Sequence, residues 1–167
     1  YEFVELARKV VGVGSVGTRA WMALFLGRDD GDPLFLQIKQ AQASVLEAYV
    51  GASEYTNSGE RVVAGQRLMQ SASDIFLGWQ RIPGLDGVER DFYIRQLRDW
   101  KGSADVDAMS PLALKTYAQM CAWTLAKAHA RSGDRIAISA YLGRSDVFDQ
   151  AIAEFSASYA DQNERDY

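Results

Sequence analysis

The chain predicts an α+β fold, an antiparallel five-stranded sheet with one packed helix, followed by a helical part. Three observations carry this prediction. Short apolar and aromatic runs are separated by glycine, proline and aspartate clusters over residues 1–100, as strands separated by turns are. One run of helical period interrupts them. Beyond residue 101 the turn clusters thin out and long amphipathic stretches with helix start and stop signals take over.

The first strand is expected at Leu6–Val11 and the second at Thr18–Leu26. The second is rich in aromatic and apolar residues, and it is too short for a typical helix before Gly27-Arg28-Asp29-Asp30-Gly31-Asp32-Pro33 breaks it. Leu34–Lys39 supplies a third strand and completes a meander. Ser44–Tyr49 can begin a helix, whereas 51–59, with Ser53, Thr56, Asn57 and Ser58, reads as a loop. A helix follows from Gly59 to Gln70. Val62, Gly65, Met69 and Ser73 share one face of it, and Gly65 would permit close approach to the sheet. Ile75–Trp79 and Asp91–Leu97 are the last two strands, joined by a turn containing Pro83-Gly84 and Asp86-Gly87.

Lys101-Gly102-Ser103-Ala104-Asp105 reads as the linker that divides a first lobe, 1–100, from a helical part of a second, 101–167. Ser110-Pro111 starts a helix with an N-cap hydroxyl and a ring suited to the first helical position. That helix is expected to run through Leu114, Tyr117, Cys121 and Leu125 and to stop near Gly133. A shorter helix spans Ile136–Leu142 and ends at Gly143. Ser145-Asp146 then caps a third, with Phe148, Ile152, Phe155 and Tyr159 at helical spacing. Cys121 reads as a small buried hydrophobe. Trp21, Trp79, Trp100 and Trp123 read as core or interface residues, since they are too scattered to form a stacking platform for bases.

With 167 residues and 48% hydrophobic content, the chain can bury a substantial core. A net charge of −4 and a pI near 5.0 argue against a general nucleic-acid or anionic-membrane binder. No stretch is long enough to span a bilayer, and a single cysteine fits a reducing cytoplasm. The opening Tyr1-Glu2-Phe3-Val4 carries neither a signal peptide nor an initiator methionine, as expected of a piece of a longer protein.

The strongest functional signal is Gly12-Val13-Gly14-Ser15-Val16-Gly17, with Lys39 22 residues after its last glycine. Glycines at this spacing let the backbone turn tightly and bring N–H groups near phosphate oxygens, and a later lysine adds positive charge. In a dinucleotide-binding unit a helix follows the third glycine; in a kinase-type loop a strand does. The strand expected at Thr18–Leu26 favours the kinase-type hairpin. No GxxxxGK[ST] loop is present.

Several motifs resemble those of the bacterial DUF2252 proteins. They are 7–19 around the glycine run, Leu34–Lys39, Glu60-Arg61-Val62-Val63 with Gly65–Gln70, 92–99 with Lys101-Gly102-Ser103, and His129–Asp134. The resemblance covers nearly the whole chain. It implies a protein-kinase-like or aminoglycoside-phosphotransferase-like fold of unassigned activity, with ATP and Mg2+ as cofactors. It also implies that a GDxHxxN-like loop and an aspartate-rich metal-binding stretch precede Tyr1, in an order permuted from ordinary kinases. This chain is then expected to be a C-terminal portion that relies on an upstream segment of the same protein and is inactive alone. Its own residues contain no HRDxxxxN and no DFG motif.

The nucleotide-binding residues expected are therefore Gly12, Gly14, Ser15, Gly17, Lys39 and Glu60, with no catalytic acid and no metal ligand in this chain. Lys39 would reach the phosphates while a helix glutamate fixes its ammonium. Glu60 is the first candidate for that role, and Glu47 and Glu54 compete with it. Arg95, Arg98, Asp99 and Lys101 follow or end the fifth strand as phosphate contacts or as a solvated charge cluster. His129 with Asp134 reads as a helix end followed by the start of the next segment. The function expected is the ATP-binding portion of a kinase-like phosphotransferase of unknown substrate. The alternatives are a non-catalytic nucleotide-sensing or protein-binding module and, further off, a dinucleotide-binding domain.

Overall fold

The computed structural model describes residues 1–9, 16–84, 86–97 and 102–167. They form an α+β protein with one five-stranded antiparallel sheet and five helices. Two compact units are distinguished, Tyr1–Ala128 and His129–Tyr167.

The sheet consists of β1 (Glu2–Arg8), β2 (Ala20–Leu26), β3 (Pro33–Ala41), β4 (Gly78–Pro83) and β5 (Glu89–Gln96), in the order β1-β2-β3-β5-β4. The one-turn helix α1 (Glu47–Val50) and the longer α2 (Ser58–Met69) connect β3 to β4. Residues 18–26 hold the strand that the glycine-run argument required. β1 and β2 form an antiparallel hairpin whose ladder runs from Glu2↔Leu26 to Arg8↔Trp21 and continues where Lys9 N–H donates to the Ala20 carbonyl at 2.9 Å. A bulge between Phe3 and Glu5 shifts its register.

Three expectations are corrected here. β1 starts earlier than Leu6, because the residues opposite Phe25 and Leu26 extend the ladder back to Glu2. β4 is Gly78–Pro83 rather than Ile75–Trp79. Asp74 turns the chain instead, its carboxylate accepting from Phe76 N–H (2.8 Å) and Gln96 N–H (2.7 Å) while its carbonyl takes Leu77 N–H, which leaves Ile75 exposed. The inward face of α2 is Gly59 and Val63, one turn apart, and not Val62, Gly65, Met69 and Ser73. Val63 is fully buried, and a β-carbon at Gly65 would meet nothing, so close approach belongs to Gly59.

The core comprises Ala20, Ala23, Leu34, Val63, Leu77 and Phe92, all supplied by the sheet, α2 and the turn after it. Asn57 caps α2 by accepting from Gly59 N–H (2.8 Å) and Glu60 N–H (3.1 Å). Both ends of α2 are tied to the sheet. Ser58 N–H donates to Asp91 on β5 at 2.7 Å, and the Arg67 guanidinium lies 5.8 Å from the Trp79 ring on β4.

The helical part contains α3 (Pro111–Ser132), α4 (Arg135–Leu142) and α5 (Val147–Asp166), close to the bounds expected from sequence. Ser110 Oγ accepts from Ala113 N–H at 3.3 Å, and Gly133 N–H closes the last turn of α3 on the His129 carbonyl. Asp134 caps α4 through Ile136 and Ala137 N–H, so its role is to start a helix. Asp146 precedes α5 without capping it through its side chain, which accepts from Gln150 Nε2 instead. None of the three helices buries a residue, so Cys121 is exposed rather than the buried hydrophobe expected, and Trp123, expected in a core or an interface, is not a core residue. No helix among the described residues is long and apolar enough to cross a membrane.

Candidate functional site

Residues paired directly across a sheet share a face and lie side by side, so register decides which side chains meet. Lys39, near the end of β3, pairs with Ala20 on β2 and with Tyr93 on β5; Tyr93 pairs in turn with Trp79 on β4. Lys9 extends the row on the other side of Ala20. Lys9, Ala20, Lys39, Tyr93 and Trp79 therefore form one line across all five strands, beginning at the base of the hairpin that encloses the glycine run. In the adjoining row of the same face, Gln37 pairs with Arg95.

Gln37 is the one polar side chain among the described buried residues, and its Oε1 accepts from Arg95 Nε (3.1 Å) and Nη2 (3.0 Å). This holds the guanidinium over the sheet beside Lys39, where the sequence alone favoured a solvated charge cluster. Burial first, and then the charges of Arg95 and Lys9, lower the Lys39 ammonium below the usual lysine value. Burial pushes the half-buried Tyr93 phenol upward. The face is thus crowded with positive charge.

The end of the sheet nearest the glycine run is braced by polar contacts. Arg19 N–H donates to Gln40 Oε1 at 3.2 Å, and Arg19 Nη2 bonds Asp86 Oδ2 across the β4–β5 turn at 3.2 Å. Arg90 holds the same Asp86 carboxylate at 2.6 Å, chiefly responsible for keeping it far below the usual carboxylate range. Between β3 and β5, an open hollow of about 370 Å³ is lined by Gln40, Ala41, Arg81, Glu89, Arg90 and Asp91, and not by Lys39.

Of the residues expected to bind nucleotide, Gly17 ends the connection into β2 with a φ of 81°, a left-handed value that favours glycine. Gly12, Gly14 and Ser15 lie outside the described residues, as do Arg98, Asp99 and Lys101. Lys39 sits on β3 as expected, and Glu60 lies in the first turn of α2. Among the described residues no ion pair joins Lys39 to Glu60, Glu47 or Glu54; the Glu47 carboxylate accepts from Ser44 N–H instead. No three metal-ligating side chains converge among the described residues.

Sequence reasoning missed Lys9, Gln37 and Tyr93 as neighbours of Lys39. Nothing local marks them, since their adjacency depends on cross-strand register. The cap was visible in principle, as Asn57 three residues before Glu60 is a helix start signal.

A family model described as an uncharacterized protein conserved in bacteria (DUF2252) matches residues 1–167. No curated protein and no solved structure matches the chain.

Proposed function

Because the chain belongs to the DUF2252 family, whose activity is unassigned, we propose from its own residues that it binds the phosphates of a nucleotide, ATP, as the nucleotide-binding part of a kinase-like phosphotransferase. The observation that carries this reading is the register Lys9–Ala20–Lys39, which brings the strand lysine into line with the base of the glycine hairpin. A turn rich in N–H groups and an adjacent ammonium are the two elements a phosphate chain needs. The strand-to-strand connection around the glycine run supports a hairpin folding over phosphates rather than a helix N-terminus receiving a pyrophosphate.

Lys39 supplies the charge and Gly17 the tight backbone, with Gly12, Gly14 and Ser15 as the sequence candidates for N–H donors. Glu60, in the first turn of α2, is the sequence candidate for fixing the Lys39 ammonium, and no ion pair joins the two among the described residues. Magnesium, when bound with the nucleotide, would offset phosphate charge. The described residues bring no three metal-ligating side chains together for it. Binding is the property assigned to residues 1–167; transfer chemistry is not.

Thermal denaturation with and without magnesium-ATP tests the reading. A ligand at about 100 times its dissociation constant stabilises the folded state by about 2.7 kcal/mol, a readily measured rise in Tm. Lys39→Ala is expected to reduce that rise. Its absence at millimolar magnesium-ATP in the unsubstituted chain would count decisively against a nucleotide site.

A further inference from the structure

We infer that Lys9 and Arg95 join Lys39 in a single cationic face that holds a ligand with several adjacent negative charges, a polyphosphate chain. The inference rests on the phosphate reading of Lys39 and extends it to two residues and to the charge of the ligand.

The geometry comes from three strands. Lys9 and Lys39 flank Ala20, a small, buried residue of β2 that pairs with both. Their backbones are two strand spacings apart, about 10 Å, within reach of two long side chains converging on one group. Arg95 lies on the next strand, in the adjoining row. Gln37 occupies its Nε and one Nη2 hydrogen, leaving the Nη1 side of the fork for an oxyanion.

The charges on this face are unbalanced. Among the described residues, none of Lys9, Lys39 and Arg95 is in an ion pair. Two carboxylates held at β5 are committed elsewhere. Asp91 bonds Arg81 at 2.6 Å and Ser58 N–H at 2.7 Å, and Asp74 receives Phe76 and Gln96 N–H. In a chain with net charge −4, three uncompensated cations on one sheet face run against the overall balance. Burial first, and then repulsion by Arg95 and Lys9, lowers the Lys39 pKa, and an incoming polyanion relieves the repulsion. One phosphate would satisfy one or two of these groups. A chain of phosphates satisfies all three.

The chemistry shared by a nucleoside triphosphate and an inorganic tripolyphosphate is this chain of phosphates, and the test separates the two. Isothermal titration of the 167-residue chain and of Lys9→Gln, Arg95→Gln and Arg95→Lys uses magnesium-ATP, AMP and tripolyphosphate as probes. Loss of one charge-assisted contact weakens binding about tenfold, so Lys9→Gln and Arg95→Gln should each lose about that factor for both polyphosphates and less for AMP. Arg95→Lys should retain part of the affinity. ATP binding that is unchanged in Lys9→Gln and Arg95→Gln overturns the inference and leaves the nucleotide reading standing. Tripolyphosphate binding that depends on Lys9 and Arg95, with no added contribution from adenosine, upholds the cationic face and removes the nucleotide. Binding of neither ligand overturns both. Should Arg95→Gln unfold the chain through Gln37, the Lys9→Gln and Arg95→Lys titrations decide.

Discussion

The backbone carbonyl of Phe92 occupies the space that a β-carbon at position 59 would need, so α2 meets β5 with only a glycine hydrogen between them. Contact with backbone on both sides leaves little room for relief. Gly59→Ala is expected to destabilise the chain by about 2–3 kcal/mol by forcing the first turn of α2 away from the sheet. A lowered urea midpoint with unchanged slope would show this, and Gly65→Ala, where a β-carbon meets nothing, should be neutral or slightly stabilising.

Asn57 satisfies two of the N–H groups that open α2. Replacing it with alanine strands both, at an expected cost of about 1–2 kcal/mol, while Asn57→Ser should retain most of the stability. Chemical denaturation of the two variants in parallel distinguishes loss of the cap from a general surface effect.

Acid should loosen the anchorage of α2. The Arg81 guanidinium, and then the Ser58 N–H, hold the Asp91 carboxyl below its ordinary value of 3.8. A carboxylate whose folded value is depressed stabilises the fold above its unfolded pKa and loses that contribution as pH falls toward the folded one. Stability should therefore decline below about pH 4, and Asp91→Asn should flatten that decline while lowering stability at pH 7. Urea midpoints measured at successive pH values between neutrality and pH 3 provide the check.

Lys39 presents the opposite case, a charge the folded state disfavours. Because its folded pKa is lowered, the protonated ammonium weakens the ligand-free fold at every pH below that value. Lys39→Met, which keeps the aliphatic stem, is expected to raise Tm by about 1–3 °C without ligand. The same substitution should diminish stabilisation by magnesium-ATP. Unchanged or lower Tm in the free variant would show that burial of the ammonium and its crowding by Arg95 and Lys9 are energetically minor.

Local signals carried the strands bounded by strong turns and the helices bounded by caps. Ala20–Leu26 was legible because Gly27–Pro33 ends it sharply, and α3 because Ser110, Pro111 and Gly133 are start and stop residues independent of packing. β4 was not, since the apolar run Ile75–Leu77 looks like a strand while Asp74 and the distant Gln96 make it a turn. Lys39 could be placed at a strand end from its flanks. Its company could not, because Arg95 reaches it only through pairing between residues more than fifty positions apart, and Lys9 only through the register of the first hairpin.

β1 and β4 form the two edges of the sheet, and an open edge is a template on which another chain can build. Each edge carries its own stop. The bulge between Phe3 and Glu5 breaks the regular spacing of free backbone groups along β1, and Pro83 closes β4 with a residue that has no N–H to offer. The exposed Phe3, Val4 and Leu6 would otherwise make β1 a ready nucleus for stacking. Growth of the sheet into a fibre is thus checked at both ends by backbone irregularity, with Glu2 and Glu5 adding repulsion between like edges.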